Sequence, residues 1–129
     1  MKILIRDESL TGKVAREFQL ELETPTLTVR ELICKRVYEE VKAFNSNRSK
    51  PFMGLVQPRA EELLLNPTAG SKVKKKDAAK QAEIALKAFE MNGFLLLVDN
   101  KQYSDAEEEV SLKPDSIVSF VKLTPLVGG

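Results

Sequence analysis

Three features of the sequence predict an α+β fold. Two alternating segments near the N-terminus are joined by a reversing turn. A helix with its own start signal follows, and the chain closes on an apolar run and a last alternating segment. Met1, Ile3 and Ile5 fall on one face of the first segment and Lys2, Leu4 and Arg6 on the other, which is the pattern of a half-buried strand from Met1 to Arg6. The turn Glu8–Lys13 contains Gly12, which can take a positive backbone angle, and is longer than a tight two-residue connection. Phe18, Leu20 and Leu22 then alternate with Glu17, Gln19, Glu21 and Glu23, so the second strand pairs with the first as an antiparallel hairpin that ends at Pro25.

Thr28-Val29-Arg30-Glu31 has the spacing of a capping box, and Leu27 with Leu32 has that of a hydrophobic staple, so a helix starts at Thr28. Val29, Ile33, Val37, Val41 and Phe44 recur every three or four residues and form one apolar stripe to lie on the hairpin; the helix frays near Asn45–Asn47. From Arg48 to Gly93 the pattern changes, and this region reads as an insertion. It suggests an extended piece at Pro51–Val56, a short helix from Pro58 to Leu65 and a basic loop at Asn66–Lys76. The four lysines of that loop, Lys72 and Lys74–Lys76, read as a solvated linker or, alternatively, as a contact for an anionic surface.

Asp77 can cap a second helix over Ala78–Asn92, with Ala82, Ala85, Leu86 and Phe89 on one stripe and Gly93 at the stopping place. Phe94–Val98 does not alternate, which predicts a strand buried on both faces. Asp99–Gln102 reads as a turn, Ser104–Glu109 as an acidic loop, and Ser116–Lys122 as the last strand, with Val118 and Phe120 on one face.

Composition narrows the function. At 129 residues the chain fits a single domain, and 20 basic residues against 19 acidic ones give no excess charge to attract nucleic acid. The apolar runs are too short to span a bilayer, so no membrane role is expected. One cysteine cannot build a disulfide framework, and no signal region precedes the first strand, so the expected location is cytoplasmic. The absence of histidine, with only one cysteine, argues against a metal centre or a catalytic triad. Cys34 lies beside the apolar stripe of the first helix and reads as a packed structural thiol.

The order of hairpin, capped helix, strand, polar connection and final strand is the β-grasp plan, and particular residues join it. The turn Leu10-Thr11-Gly12-Lys13, the helix opening at Thr28, Leu96-Leu97-Val98 followed by Lys101-Gln102, the stretch Leu112-Lys113-Pro114-Asp115-Ser116 and the final Gly128-Gly129 recur in the order of ubiquitin. The chain resembles the ubiquitin family over roughly residues 1–47 and 94–129. Its inserted helix before the apolar strand looks like that of the bacterial ubiquitin-like modifiers, which occur beside E1-like, E2-like and isopeptidase partners. The expected fold is therefore a ubiquitin-like β-grasp in a single domain over 1–129, with an insertion at about 48–93 between the first helix and third strand, and a flexible tail at 124–129.

The resemblance implies a modifier, itself a substrate of other enzymes rather than an enzyme, with no cofactor of its own. An E1-like activating enzyme would use ATP to adenylate the carboxylate of Gly129 and pass it on as a thioester; an E2-like enzyme would deliver it to an amine of a target protein, and an isopeptidase would reverse the bond. Glycine at 128 and 129 suits active sites that close tightly around the main chain, where a Cβ would obstruct. As given, the chain already ends at Gly129, so no processing is expected. The approach through Leu123, Pro125, Leu126 and Val127 lacks the arginines of ubiquitin's tail, which implies different cognate enzymes. Leu10, Leu97 and Val121 match the positions of ubiquitin's apolar docking patch. For Leu97 two readings stay open: an exposed docking surface, or burial of Leu95 and Leu97 beneath the inserted helix. Lys13 and Lys101 match chain-forming lysines by position. Two further functions remain open: a sulfur carrier using the same Gly-Gly adenylation to make a thiocarboxylate, and a binding module that is never conjugated.

Overall fold

A computed structural model describes residues 1–46, 54–55 and 77–123. The helix expected from Pro58, the basic loop, most of the extended piece at Pro51–Val56 and the tail from Thr124 lie outside the described residues. The described chain runs β1 (Lys2–Ser9), β2 (Val14–Glu21), β3 (Thr26–Thr28), α1 (Val29–Ser46), α2 (Ala78–Glu90), β4 (Phe94–Val98), β5 (Lys101–Tyr103), β6 (Glu109–Ser111) and β7 (Ile117–Lys122). This is an α+β architecture with a mixed five-stranded sheet in the order β2-β1-β7-β4-β5 and a separate pair, β3-β6. The first and last strands of the sheet lie side by side and parallel, Ile5 opposite Val118 and Asp7 opposite Phe120, while the other sheet pairings are antiparallel.

Alternation along the strands sends one face of this sheet into the core. Ile3, Ile5, Leu20, Leu96, Val98, Val118 and Phe120 are buried together with Val29, Leu32, Ile33, Val37 and Val41 of α1. Full burial of each such side chain stabilises the fold by about 1.5–3 kcal/mol. The apolar stripe expected on α1 is the face it buries, with Leu32 added. The capping box at its start is formed: Thr28 N–H donates to Glu31 Oε1 at 2.9 Å and Glu31 N–H to Thr28 Oγ1 at 3.1 Å. Two more N–H groups of this first turn are satisfied from afar, Val29 by the carbonyl of Glu108 and Arg30 by that of Ala106. Helix α2 packs beside α1 through Ala82 and Ala85, and Phe89 meets Phe94, which in turn meets Phe120, at ring separations of 5.7 and 5.9 Å.

Several boundaries differ from the sequence reading for physical reasons. Strand β1 continues past Arg6 to Ser9, held by its parallel partner β7. The connection Leu10–Lys13 is a four-residue loop with Gly12 at φ 86°. Asp99 and Asn100 make the next turn alone, with φ 50° and 71° as a two-residue hairpin requires, so Lys101 and Gln102 belong to β5 and not to the turn. Helix α2 stops at Glu90 and not Asn92. There Asn92 takes the left-handed angle, φ 59°, while Gly93 N–H bonds the carbonyl of Ala88 at 2.7 Å. Gly93 serves that close approach, since a Cβ there would stand 3.1 Å from the Ala88 oxygen. The pair β3-β6 was not expected: each strand is three residues long, and β6 takes in Glu109, the end of the expected acidic loop. Strand β4 is not buried on both faces; Phe94, Leu96 and Val98 are buried and Leu95 and Leu97 only half so.

The sheet's core face ends in charge. Asp7 continues the inward alternation of Ile3 and Ile5, and Arg36, fully buried on α1, donates Nη1 and Nη2 to its two oxygens at 2.5 and 2.7 Å and Nε to Glu40. The guanidinium also lies over the rings of Phe120, 4.5 Å away, and Phe18, 5.2 Å away. Burial works against its charge, but hydrogen bonds and charges from Asp7 and Glu40 outweigh that and hold Arg36 above its ordinary value. Arg36→Leu would leave the buried carboxylates of Asp7 and Glu40 without the guanidinium that pairs with both, Asp7 keeping only the ammonium of Lys122 at 3.9 Å. Urea unfolding of this variant is expected to show a loss of about 3–5 kcal/mol, far more than a surface arginine would give.

Candidate functional site

The second face of the sheet carries the candidate surface. Outward positions alternate with the core ones, so Leu95 and Leu97 on β4, Ile117, Ser119 and Val121 on β7, and Leu4 on β1 share this face, all of them half-buried. Leu95 stands opposite Val121 and Leu97 opposite Ser119, which places Leu97 diagonally between Ile117 and Val121. The structure places Leu97 and Val121 on one face of the sheet, together with Leu4, Leu95 and Ile117. Leu4 was already visible as the apolar member of the polar side of β1. Charge borders the patch on the β1 side, where Arg6 Nε meets Glu17 at 2.5 Å.

Helix α2 does not cover this surface. Its buried residues join the core with Phe94 and Leu96, on the opposite side of β4 from Leu95 and Leu97. Burial of Leu97 beneath that helix is thereby set aside.

Leu10 is 68% exposed in the β1–β2 loop, one residue past the register of Ser9 with Lys122. Because β1 and β7 run parallel, this loop and the C-terminal end of β7 lie at the same end of the sheet. Lys13, exposed, is in the same loop. Leu123, half-buried, leaves β7 at that end and is tied down by its N–H to the carbonyl of Gly93 at 3.3 Å. Pro125, Leu126, Val127, Gly128 and Gly129 lie outside the described residues. Lys101 is exposed at the other end of the sheet, beside the β4–β5 turn, its ammonium 4.9 Å from the ring of Tyr103.

Other groups carry less chemistry. Cys34 is half-buried and packed against the core; burial pushes its thiol up despite Arg30 nearby, the opposite of an activated nucleophile. Lys122 is held below its ordinary value by burial, against the pull of Asp7 at 3.9 Å. An open depression of about 610 Å³ between α1 and the start of α2 is lined by Lys35, Tyr38, Lys42 and Ser46, and there Glu39 pairs with Lys35 at 3.6 Å. Among the described residues no group of histidine, cysteine or carboxylate side chains could hold a metal ion, and no helix is long and apolar enough to cross a membrane. No protein-family profile, curated protein or solved structure matches the chain.

The two faces of β4 are expected to respond differently to substitution. Leu96→Ala, on the core face, should cost about 2–5 kcal/mol in urea unfolding, whereas Leu97→Glu, on the outer face, should cost about 1 kcal/mol and keep the wild-type circular dichroism spectrum.

Proposed function

We propose that this chain is a ubiquitin-like protein modifier, joined to an amine of a target protein through the carboxylate of Gly129. The observation that carries the reading is the topology around the tail. A parallel pair of first and last strands, β1 and β7, is flanked by β2 and β4, and α1 lies across one face; this supports a β-grasp domain with the 48–93 region as an insertion. In that arrangement β7 delivers the chain at the end of the sheet where the Leu10 loop projects.

The chemistry then falls to the partners. An E1-like enzyme uses ATP to form the Gly129 acyl-adenylate with release of pyrophosphate, and a cysteine thiol of that enzyme displaces AMP to give the thioester. An E2-like enzyme takes the acyl group onto its own cysteine, and a target amine displaces that thiol to form the amide, which an isopeptidase hydrolyses. The modifier supplies a narrow tail and a docking face. Gly128 and Gly129 let the main chain pass through an enclosed site, Leu123, Pro125, Leu126 and Val127 select the enzymes, and the outer face around Leu97 and Val121, with Leu10 at its end, offers apolar area for docking. Lys13 and Lys101 are both exposed, as acceptors for self-conjugation must be.

Incubation with the cognate activating enzyme and ATP tests the reading by intact mass. A covalent adduct to a larger protein is expected, and replacement of Gly128 and Gly129 by alanine should abolish it. A gain of one sulfur in place of oxygen would identify a sulfur carrier instead, and partner binding that survives the double alanine variant without any adduct would identify a docking module. Leu126→Arg is expected to lower ATP–pyrophosphate exchange at least tenfold; undiminished exchange would remove the tail's apolar residues from enzyme selection.

A further inference from the structure

The buried charge cluster does more than neutralise itself. Glu40 Oε1 accepts from Arg36 Nε, while Oε2 of the same carboxylate accepts the backbone N–H of Leu55 at 2.8 Å. Leu55 lies in the stretch joining the two helices, 15 positions along the chain from Glu40, yet its side chain is 6% exposed and belongs to the main core. On the other side of Arg36, Asp7 takes two guanidinium bonds and faces the ammonium of Lys122, the last residue of β7. A line of alternating charge thus runs from a backbone amide between the helices, through Glu40, Arg36 and Asp7, to the final residue of the strand that leads into the tail.

We propose that Glu40 is a latch that fastens the chain to the domain at Leu55, between the two helices, and that the latch works as one unit with Asp7 of β1, beside the end of β7. The carboxylate has two oxygens and both are committed, so it satisfies the Leu55 amide and the guanidinium together only while it stays in place. Removing the Leu55 amide leaves an oxygen bare in a buried site. Removing Asp7 leaves Arg36 to draw on Glu40 alone, which weakens the hold on Leu55. Leu55 and the strand end therefore depend on the same few atoms, although they lie at distant points of the sequence.

Native-state hydrogen exchange on the full chain, followed at rising low denaturant, tests this. In Glu40→Gln the Leu55 amide is expected to exchange at least tenfold faster through an opening insensitive to denaturant, while the Leu96 amide, in the middle of β4, follows global stability. A Leu55 rate that is unchanged, or that moves only in step with Leu96, overturns the latch. Asp7→Asn touches Arg36 and Lys122 but not Leu55. It should also speed Leu55, and the double variant should fall short of the product of the two single effects. A Leu55 rate indifferent to Asp7→Asn overturns the shared unit. If Glu40→Gln does not fold, Leu55→Pro removes the amide donor while leaving Glu40, Arg36 and Asp7 in place. Rapid proteolytic cleavage next to residue 55 in a domain that otherwise stays folded supports the latch, and unchanged protection overturns it.

Discussion

The packing of this domain depends on the pairing of Arg36 with Asp7. A guanidinium taken wholly out of water carries a desolvation cost of several kcal/mol, which only close, complete pairing offsets. The pairing holds one position on α1 against one position on β1, and the two aromatic rings that the cation lies over come from β2 and β7. Four elements meet at this point. An apolar contact of the same volume would tolerate a helix that slid or rotated slightly. A bidentate carboxylate–guanidinium pair has a narrow geometry, so α1 is held in one register on the sheet.

Local signals carried most of the fold. The capping box at Thr28 needs only residues within one turn, and the stripe on α1 needs only its own period, so both were legible. Long-range partners were harder. Thr26–Thr28 forms a strand solely because Glu109–Ser111, over 80 positions away, supplies its bonds. Asp7, Arg36 and Glu40 belong to no local motif, although each falls on the inward phase of its element: Asp7 two places after Ile5, Arg36 three after Ile33, and Glu40 four after Arg36. A charged residue in phase with an apolar pattern was the available signal. At the end of α2, Asn92 and Gly93 compete for the same position, and the hydrogen bond to Ala88 decided which one turns left-handed.

The candidate site was legible in part for the same reason. Leu97 and Val121 share a face because strand alternation has a period of two, and that much follows from neighbouring residues alone. Which side α2 would occupy did not follow, because the continuous apolar run Phe94–Val98 is compatible with burial on either face. The aromatic path from Phe89 through Phe94 to Phe120 places α2 on the core side and leaves Leu95 and Leu97 to the outer face. The apolar outer face and the ion-paired inner one thus lie back to back across a single sheet.

The close of α2 also bears on the chemical lifetime of the chain. Asparagine followed by glycine is the dipeptide most prone to deamidation, in which the glycine nitrogen attacks the asparagine side-chain carbonyl, ammonia leaves and a succinimide ring forms. At Asn92-Gly93 that nitrogen is committed, its N–H held by the Ala88 carbonyl at 2.7 Å, and the next peptide is held in turn, its Gly93 oxygen accepting the N–H of Leu123 at 3.3 Å. The ring cannot close without breaking the helix end. The folded domain thereby shelters its most fragile bond, and molecular ageing at this position becomes a record of how often the junction between α2 and the last strand opens.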